Sequence, residues 1–178
     1  MLTRLLLSLF AVIGLAVLLW ADDFKLEAGF ERLDNGKDLT GWTGMTEGWS
    51  VIDGAIHLDA KKAKESIFHE KPHSTNCVIR LEFRATEGGD SGLYVYGKQF
   101  QVRDYPTAGP KPYAAPARPA GQWNLLELDF TNSVAVVKLN GQVIERAWKI
   151  GIDSKKGLGL QREKGDFDFR HIVIKEKK

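Results

Sequence analysis

Apolar and polar residues alternate along two short segments between Gly88 and Asp104. Because side chains two residues apart on a β-strand share a face, each segment predicts a strand with one apolar and one polar face. The apolar positions are Leu93, Val95, Phe100 and Val102, and the polar positions are Tyr94, Tyr96, Gln99, Gln101 and Arg103. We expect the apolar face to join a core. The polar face carries amides, phenols and a guanidinium, which suit a sugar site, and an ordinary solvated sheet face is the simpler alternative.

Turn signals and further alternation predict strands along most of the remaining chain. Asp53-Gly54 and Asn140-Gly141 each separate two strand-like segments, and such pairs accept the positive φ angles of a tight hairpin turn. The stretches Cys77 to Phe83 and Asn124 to Phe130 alternate as half-buried strands do. Tyr105 to Gly121, rich in Pro, Ala and Gly, predicts a long loop of the kind that often carries function. Short, regularly spaced strands without a helical period indicate an all-β fold, an antiparallel β-sandwich or jelly roll.

The first residues differ in composition from the rest. Arg4 precedes a nearly continuous apolar stretch from Leu5 to Leu19, and Ala21 lies just before the acidic Asp22. This pattern predicts a signal peptide over residues 1–21, one domain over residues 22–178, and an exported, periplasmic or extracellular protein. Because Leu19 occupies a position where a small residue is preferred, an uncleaved membrane anchor is the alternative.

Composition and motif spacing exclude several classes of function. The formal net charge of +2 gives no electrostatic basis for binding nucleic acid, and no membrane contact is expected after processing. Cys77 is the only cysteine, so the fold is expected to be stable without disulfides. His69 and His73 spell the H-E-x-x-H zinc motif, but Pro72 would break the helix on which that motif depends.

An ordered set of segments extends over essentially the whole mature chain. The segments are FERLDNGKDLTGW (30–42), GWSVIDGAI (48–56), VIRLEFRA (78–85), GDSGLYV (89–95), FQVRD (100–104), GQWN (121–124), KLNGQ (138–142), GLGLQ (157–161) and FDFRHI (167–172). In order and spacing, this set resembles the 3-keto-disaccharide hydrolase domain family. The resemblance implies a concanavalin A-like, laminin-G-like sandwich, export, and cleavage of glycosides whose sugar carries a 3-keto group.

The chain departs from the family pattern at the polar face. Family members tend to carry an asparagine where Asp90 stands, an arginine near Tyr96 and an acidic residue where Gln99 stands, whereas Gln101 and Asp104 are kept. An amide neither carries charge nor exchanges a proton, so Gln99 cannot act as a general acid or base. An enzyme and a non-catalytic, lectin-like carbohydrate-binding module on the same fold therefore both remain open.

The enzyme hypothesis needs a base, a group that stabilises an enolate, and an acid for the leaving group, because the ketone acidifies the C2 hydrogen. Strand parity makes Glu82 the candidate base and Asp104 the candidate acid or metal ligand, with Gln101 and Gln161 as hydrogen-bonding amides. A salt bridge from Glu82 to a neighbouring arginine, Arg80 or Arg84, is the structural alternative. The use of a divalent metal ion stays open, although no His or Cys cluster with ligand spacing supports it.

The binding hypothesis assigns sugar stacking to aromatic side chains and hydroxyl recognition to polar ones. The stacking candidates are Tyr94, Tyr96 and Trp123, and the hydroxyl-binding candidates are Gln99, Gln101 and Arg103. A core position is the alternative for Trp123. A structural interaction domain of an exported assembly is the third hypothesis. Converging carboxylates in a cleft would favour the enzyme, and a flat aromatic platform would favour the binding module.

Overall fold

A computed structural model of the protein describes residues 24–150 and 157–177. The predicted signal peptide, residues 1–21, lies outside the described residues. The strands are β1 (Glu31–Arg32), β2 (Trp42–Thr43), β3 (Trp49–Ile52), β4 (Ala55–Leu58), β5 (Ile67–His69), β6 (Cys77–Ala85), β7 (Asp90–Val95), β8 (Lys98–Arg103), β9 (Asn124–Thr131), β10 (Val134–Leu139), β11 (Gln142–Lys149), β12 (Gly159–Leu160) and β13 (Phe167–Glu176). Two single-turn helices, α1 (Tyr105–Ala108) and α2 (Lys111–Ala114), lie between β8 and β9.

The strands form two sheets. The large sheet has eight strands in the order β11-β10-β9-β6-β13-β4-β3, with β1 paired to β13. The small sheet has five strands in the order β2-β5-β12-β7-β8. Neighbouring strands in both sheets run antiparallel. The predicted antiparallel β-sandwich is confirmed.

The core lies between the two sheets and follows the alternation in the sequence. Along β6, buried and half-buried residues alternate over all nine positions. On the small sheet, Leu93, Val95, Phe100 and Val102 are each at most 3% exposed, as their parity predicts. Burying a large apolar side chain contributes about 1.5–3 kcal/mol, so these positions hold the small sheet against the large one.

The two predicted hairpin turns are confirmed. Asp53 and Gly54 both have positive φ angles, 51° and 79°, and join β3 to β4. Asn140 and Gly141 likewise have φ angles of 49° and 83° and join β10 to β11. Positive φ at both central residues matches the right-handed twist of the flanking strands, which explains the Asp-Gly and Asn-Gly pairs.

The predicted long loop packs against the edge of the small sheet. Tyr105 is 1% exposed, and its hydroxyl donates to the backbone carbonyl of Gln101 at 2.5 Å. The Nη1 of Arg103 donates to the carbonyl of Ala108 at 2.9 Å. These bonds tie both the start and the end of α1 to β8. Neither helix of the described ranges has the length and apolar character that crossing a lipid bilayer requires.

Candidate functional site

The outer face of the small sheet gathers five of the residues predicted from the sequence. Register places Tyr94 opposite Gln99 and Gly92 opposite Gln101. The backbone N–H of Gln161 donates to the carbonyl of Gly92 at 2.9 Å, which brings Gln161 alongside β7. We call this surface the polar face, and its members are Tyr94, Gln99, Gln101, Arg103 and Gln161. The predicted clustering of Gln99, Gln101 and Arg103 on one face is confirmed.

Side-chain hydrogen bonds hold the polar face in one arrangement. The Nε2 of Gln99 donates to the Oε1 of Gln161 at 2.6 Å. The Nε2 of Gln101 donates to Asp90 Oδ1 at 2.7 Å, and the guanidinium of Arg103 lies 2.9 Å from Asp90 Oδ2. An amide has two N–H donors and a carbonyl acceptor, so each bond uses only part of its capacity. The arrangement is therefore organised before any ligand binds.

Glycine at position 92 allows these side chains to lie across the sheet. A Cβ atom on Gly92 would lie 2.6 Å from Cγ of Gln99 and 2.8 Å from Oε1 of Gln161. Such distances are far below van der Waals contact, so any other residue would displace the Gln99–Gln161 pair. The Gly-Leu-Tyr order in β7 thus leaves the space that the two amides fill.

A cleft of about 280 Å³ lies beside the polar face. It lies between β8, the loop that carries α2, and β11, the edge strand of the large sheet. The residues along its walls whose types are relevant to chemistry are Gln99, Gln101, Arg103, Tyr113, Glu145 and Trp148. Its size falls near the lower end of small-molecule sites, and its mixture of aromatic and polar groups is typical of them.

Aromatic packing fixes the walls of this cleft. The ring of Trp148 meets Phe100 edge-on at a centroid distance of 5.5 Å, and Lys98 Nζ lies 4.9 Å from the Trp148 centroid. The ring of Tyr113 stacks on the other side over Phe100 at 6.5 Å. The hydroxyl of Tyr113 donates a hydrogen bond to the carboxylate of Glu145. This hydrogen bond joins the loop that carries α2 to the edge strand β11 across the cleft.

Sequence reasoning missed Tyr113, Glu145 and Trp148. Tyr113 belongs to a Pro- and Ala-rich loop without a periodic pattern, and Glu145 and Trp148 belong to a strand of the opposite sheet. Their approach to β8 is a tertiary contact, which parity along β7 and β8 does not contain. The one available signal was the length of the loop, which marked it as a candidate functional element.

The structure corrects the prediction that Tyr96 stacks on a sugar, because its side chain is buried. It is 3% exposed, with its hydroxyl directed at the backbone carbonyls of His73 and Ser74 at 2.7 and 2.6 Å. β7 ends at Val95, and Tyr96 has a φ angle of 49° in the turn to β8. The parity of a strand does not extend into a turn, so the predicted orientation of Tyr96 was wrong.

The structure also places Asp104 differently from the predicted acid or metal ligand. Asp104 is 3% exposed, and its Oδ2 accepts a hydrogen bond from the backbone N–H of Gly88 at 3.0 Å. Its Oδ1 is buried without a hydrogen-bond partner among the described residues. The carboxylate anchors the β6–β7 turn beneath the loop and is not presented to the cleft, so its predicted role as catalytic acid or metal ligand is not supported.

Glu82 and Trp123 lie on the outer face of the large sheet, on the opposite side of the sandwich from the polar face. The Oε2 of Glu82 is 2.7 Å from Arg170 Nε and 3.2 Å from His171 Nδ1. Hydrogen bonds from His171 and Arg170 lower the pKa of Glu82. The expected salt bridge exists with a different arginine, and Glu82 does not share a site with Gln99 or Gln101.

Trp123 packs against the same group of charged residues that surrounds Glu82 on the outer face of the large sheet. The guanidinium carbon of Arg170 lies 4.0 Å from its ring centroid, and that of Arg84 lies 4.7 Å away. Cation–π contacts of this kind stabilise a half-buried aromatic ring on a charged sheet face. Trp123 is therefore neither a core residue nor a neighbour of the other proposed sugar-binding residues.

Neither histidine of the zinc-like motif lies on a helix, since β5 ends at His69. Over residues 24–150 and 157–177, no group of three or more His, Cys, Asp or Glu side chains could hold a metal ion.

Comparison with known proteins places the chain in a family. No curated protein matches its sequence. A proposed glycosyl hydrolase of Parabacteroides distasonis has a similar structure, with a TM-score of 0.68 and 21% identity over 84% of this chain and 94% of that one. A Bacillus subtilis protein with a galectin-like fold has a TM-score of 0.55 and 13% identity over 83% of this chain and 94% of that one. The carbohydrate-binding module CBM66 of Bacillus subtilis has a TM-score of 0.50 and 12% identity, over 77% of this chain and 96% of that one.

These structural likenesses show a shared sandwich fold. The sequence profile of the 3-keto-alpha-glucoside-1,2-lyase-like domain matches residues 29–175, which confirms the resemblance found in the sequence. The chain therefore belongs to this carbohydrate-related family.

Proposed function

We propose that this protein binds 3-keto-glycosides in the cleft beside the polar face and cleaves their glycosidic bond. The observation that carries the proposal is the composition of that cleft in a chain of this family. Amides and a guanidinium supply donors for a ketone and for hydroxyl groups, and Trp148 supplies an apolar wall for a pyranose ring.

The chemistry begins at the carbon next to the ketone. The 3-keto group acidifies the C2 hydrogen, so a base can remove it and leave an enolate with its charge on the ketone oxygen. When the ketone re-forms, the electron pair forms the C1=C2 double bond as the C1–O bond breaks. The leaving oxygen takes a proton, and addition of water to the unsaturated ketone completes a net hydrolysis. Donors on the polar face would stabilise negative charge on the ketone oxygen during proton removal. Gln99, Gln101 and Arg103 are suited to that task.

A non-catalytic carbohydrate-binding module is the second candidate function, and one specific observation favours it. Neither Glu82 nor Asp104 is presented to the cleft, and position 99 carries an amide. A binding module needs only the hydrogen bonds and the aromatic wall. The proposal of catalysis therefore depends on a carboxylate that the sequence did not single out.

Measuring binding and turnover in parallel separates these functions. Purified protein is titrated with a 3-keto-glucoside and with the matching unoxidised glucoside in a calorimeter, and the released alcohol or sugar is followed by NMR. We expect binding of both glycosides and cleavage of the 3-keto compound alone. Binding without cleavage, with or without added divalent cations, would establish the binding module, and absence of binding would overturn the sugar-site assignment.

We also propose that the protein is exported and begins near Asp22 after processing, on the basis of its apolar leader. Intact-mass measurement on protein recovered from the producing cell's envelope tests this. A chain that starts near residue 22 is expected. A chain that retains Met1 would instead establish a membrane anchor.

A further inference from the structure

The five residues of the polar face include no carboxylate and no imidazole, the usual acceptors of a carbon-bound proton. Amides carry no charge, and a guanidinium keeps its protons at any physiological pH. Asp90 has a carboxylate beside the polar face, but its two oxygens are engaged with Gln101 and Arg103. If the cleft removes a C2 proton, the base must come from another wall.

Glu145 is the carboxylate on the opposite wall of the cleft. It lies on β11 and is half-buried, and the hydroxyl of Tyr113 donates to it. Tyr113 comes from the loop and also lines the cleft. The pair therefore brings together a carboxylate and a phenol from two elements, in a cleft that Gln99, Gln101 and Arg103 of β8 also line.

The backbone of β11 is irregular at this residue. Glu145 pairs with Val137, and the register between β10 and β11 shifts on both sides of that pair. On either side β11 has one residue more than β10, as in a β-bulge. Bulges redirect a side chain and are enriched at the edges of sheets and beside active sites. A regular strand would turn its side chains according to parity alone, so this irregularity sets the direction of Glu145.

We infer that Glu145 and Tyr113 form the proton-transfer pair of the cleft, with Glu145 as the base and Tyr113 as the acid. This inference rests on the proposed function. The Glu145 carboxylate takes the C2 proton, and the C2–H electrons form the C2=C3 bond of an enolate whose charge lies on the ketone oxygen. When the ketone re-forms, this electron pair becomes the C1=C2 bond and the C1–O bond breaks. The departing oxygen takes the proton of the Tyr113 hydroxyl. Tyr113 then recovers a proton from the Glu145 carboxylic acid along their hydrogen bond, which restores both groups.

The ionisation of Tyr113 agrees with this assignment of roles. Burial and the hydrogen bond to Glu145 both raise the pKa of Tyr113. The phenol therefore stays protonated at neutral pH and serves as the donor. The Glu145 carboxylate, which accepts its hydrogen bond, lies beside it.

The test separates proton removal at C2 from cleavage. In D₂O, the rate at which the C2 hydrogen exchanges for deuterium measures proton removal by the base. The rate at which the leaving group is released measures the whole elimination. Glu145→Gln is expected to lower both rates at least about 100-fold, the usual range for loss of a general base, while affinity for the 3-keto-glycoside persists. Tyr113→Phe is expected to lower cleavage and leave C2 exchange within about threefold of wild type.

The controls protect against a trivial loss of activity. Glu65→Gln makes the same change at an exposed carboxylate ahead of β5 and is expected to leave both rates unchanged. Glu145→Asp keeps the carboxylate on a shorter side chain and is expected to retain measurable exchange. Thermal melting verifies that each variant folds.

Wild-type rates in Glu145→Gln would overturn this inference while leaving the proposed function intact. A wild-type protein that binds but neither exchanges nor cleaves would overturn both, in favour of the binding module.

Discussion

At the scale of single residues, Gln99 places an amide where the family resemblance in the sequence leads us to expect an acid. Its Nε2 donates to the side-chain oxygen of Gln161 at 2.6 Å, so the amide orders this part of the polar face. Because Glu145 supplies the base in the proposed mechanism, Gln99→Glu is expected to leave kcat for a 3-keto-glycoside within about threefold of wild type.

Steady-state kinetics on the two proteins measure this directly. A rise of tenfold or more, about 1.4 kcal/mol of barrier, would show that the missing acid at position 99 limits the reaction. The same data give KM, which is expected to rise, since the variant replaces an N–H donor with an acceptor opposite the carbonyl oxygen of Gln161.

A second residue-scale prediction concerns Val102, which is fully buried on β8. Val102→Asp places a carboxylate in the core without a partner and is expected to cost about 3–5 kcal/mol of the free energy of unfolding. Val143→Asp makes the same change at a 40% exposed position opposite Lys138 and is expected to cost less than about 0.5 kcal/mol. Urea titration of both variants measures the difference, and equal midpoints would contradict the assigned parity.

Alternation in the sequence was sufficient to predict which side chains of β7 and β8 enter the core, because a period of two is a property of the strand itself. It did not predict where each strand ends. Tyr96 and Asp104 each lie one position beyond a strand, and both turned inward. Strand ends depend on turn geometry and on what packs over the turn, and the local pattern does not specify either.

At the scale of elements, Glu82 joins two strands of the large sheet. It is on β6 and bonds to Arg170 on β13, directly opposite in the register, and to the neighbouring His171. We expect Glu82→Gln to cost about 1–3 kcal/mol of stability at neutral pH, the range for a hydrogen bond to a charged group, and to leave turnover unchanged.

The pH dependence of this cost follows from the ionisation of Glu82. Its pKa is lowered in the folded protein by His171 and Arg170, so its contribution is present above the pKa of the unfolded chain. That contribution is lost as the pH falls through the lowered pKa. Thermal melts at neutral pH and in acid should therefore show a gap between wild type and variant that narrows in acid. A gap that stays constant, or loss of turnover in the variant, would contradict the structural role.

Element pairing explains why Glu82, an attractive candidate base by parity, lies apart from the polar face. Strand parity places it correctly on an outward face, but parity does not say which of the two outward faces of a sandwich that is. The hairpins at Asp53-Gly54 and Asn140-Gly141 were predictable because the turn residues themselves carry the required φ angles. The assignment of β6 and β8 to different sheets depends on long-range pairing and carries no local signature.

At the scale of the whole molecule, the sandwich separates two outward faces with different chemistry. The large sheet carries ion pairs that satisfy one another, such as Glu82 with Arg170 and Asp168 with Arg84. The small sheet carries amides, and its cleft is completed by the edge strand of the large sheet. A site assembled from both sheets and a loop arises only in the folded chain, which is why the sequence supplied one wall of it and not the other.

Two tryptophans, one in the cleft and one on the outer face of the large sheet, allow a matched test of where sugar binds. Trp148 lines the cleft, whereas Trp123 lies among arginines on the outer face of the large sheet. Leucine keeps apolar volume at either position and removes the aromatic face on which a pyranose can stack. Trp148→Leu is expected to weaken binding of a 3-keto-glucoside about tenfold, equivalent to about 1.4 kcal/mol, and Trp123→Leu is expected to leave affinity within about twofold. Calorimetric titration of both variants measures the two effects, and thermal melts verify that each variant folds. Weakened binding in Trp123→Leu with unchanged affinity in Trp148→Leu would instead place the sugar on the large sheet. The cleft would then not be the binding site, and neither Glu145 nor Tyr113 would take part in the mechanism.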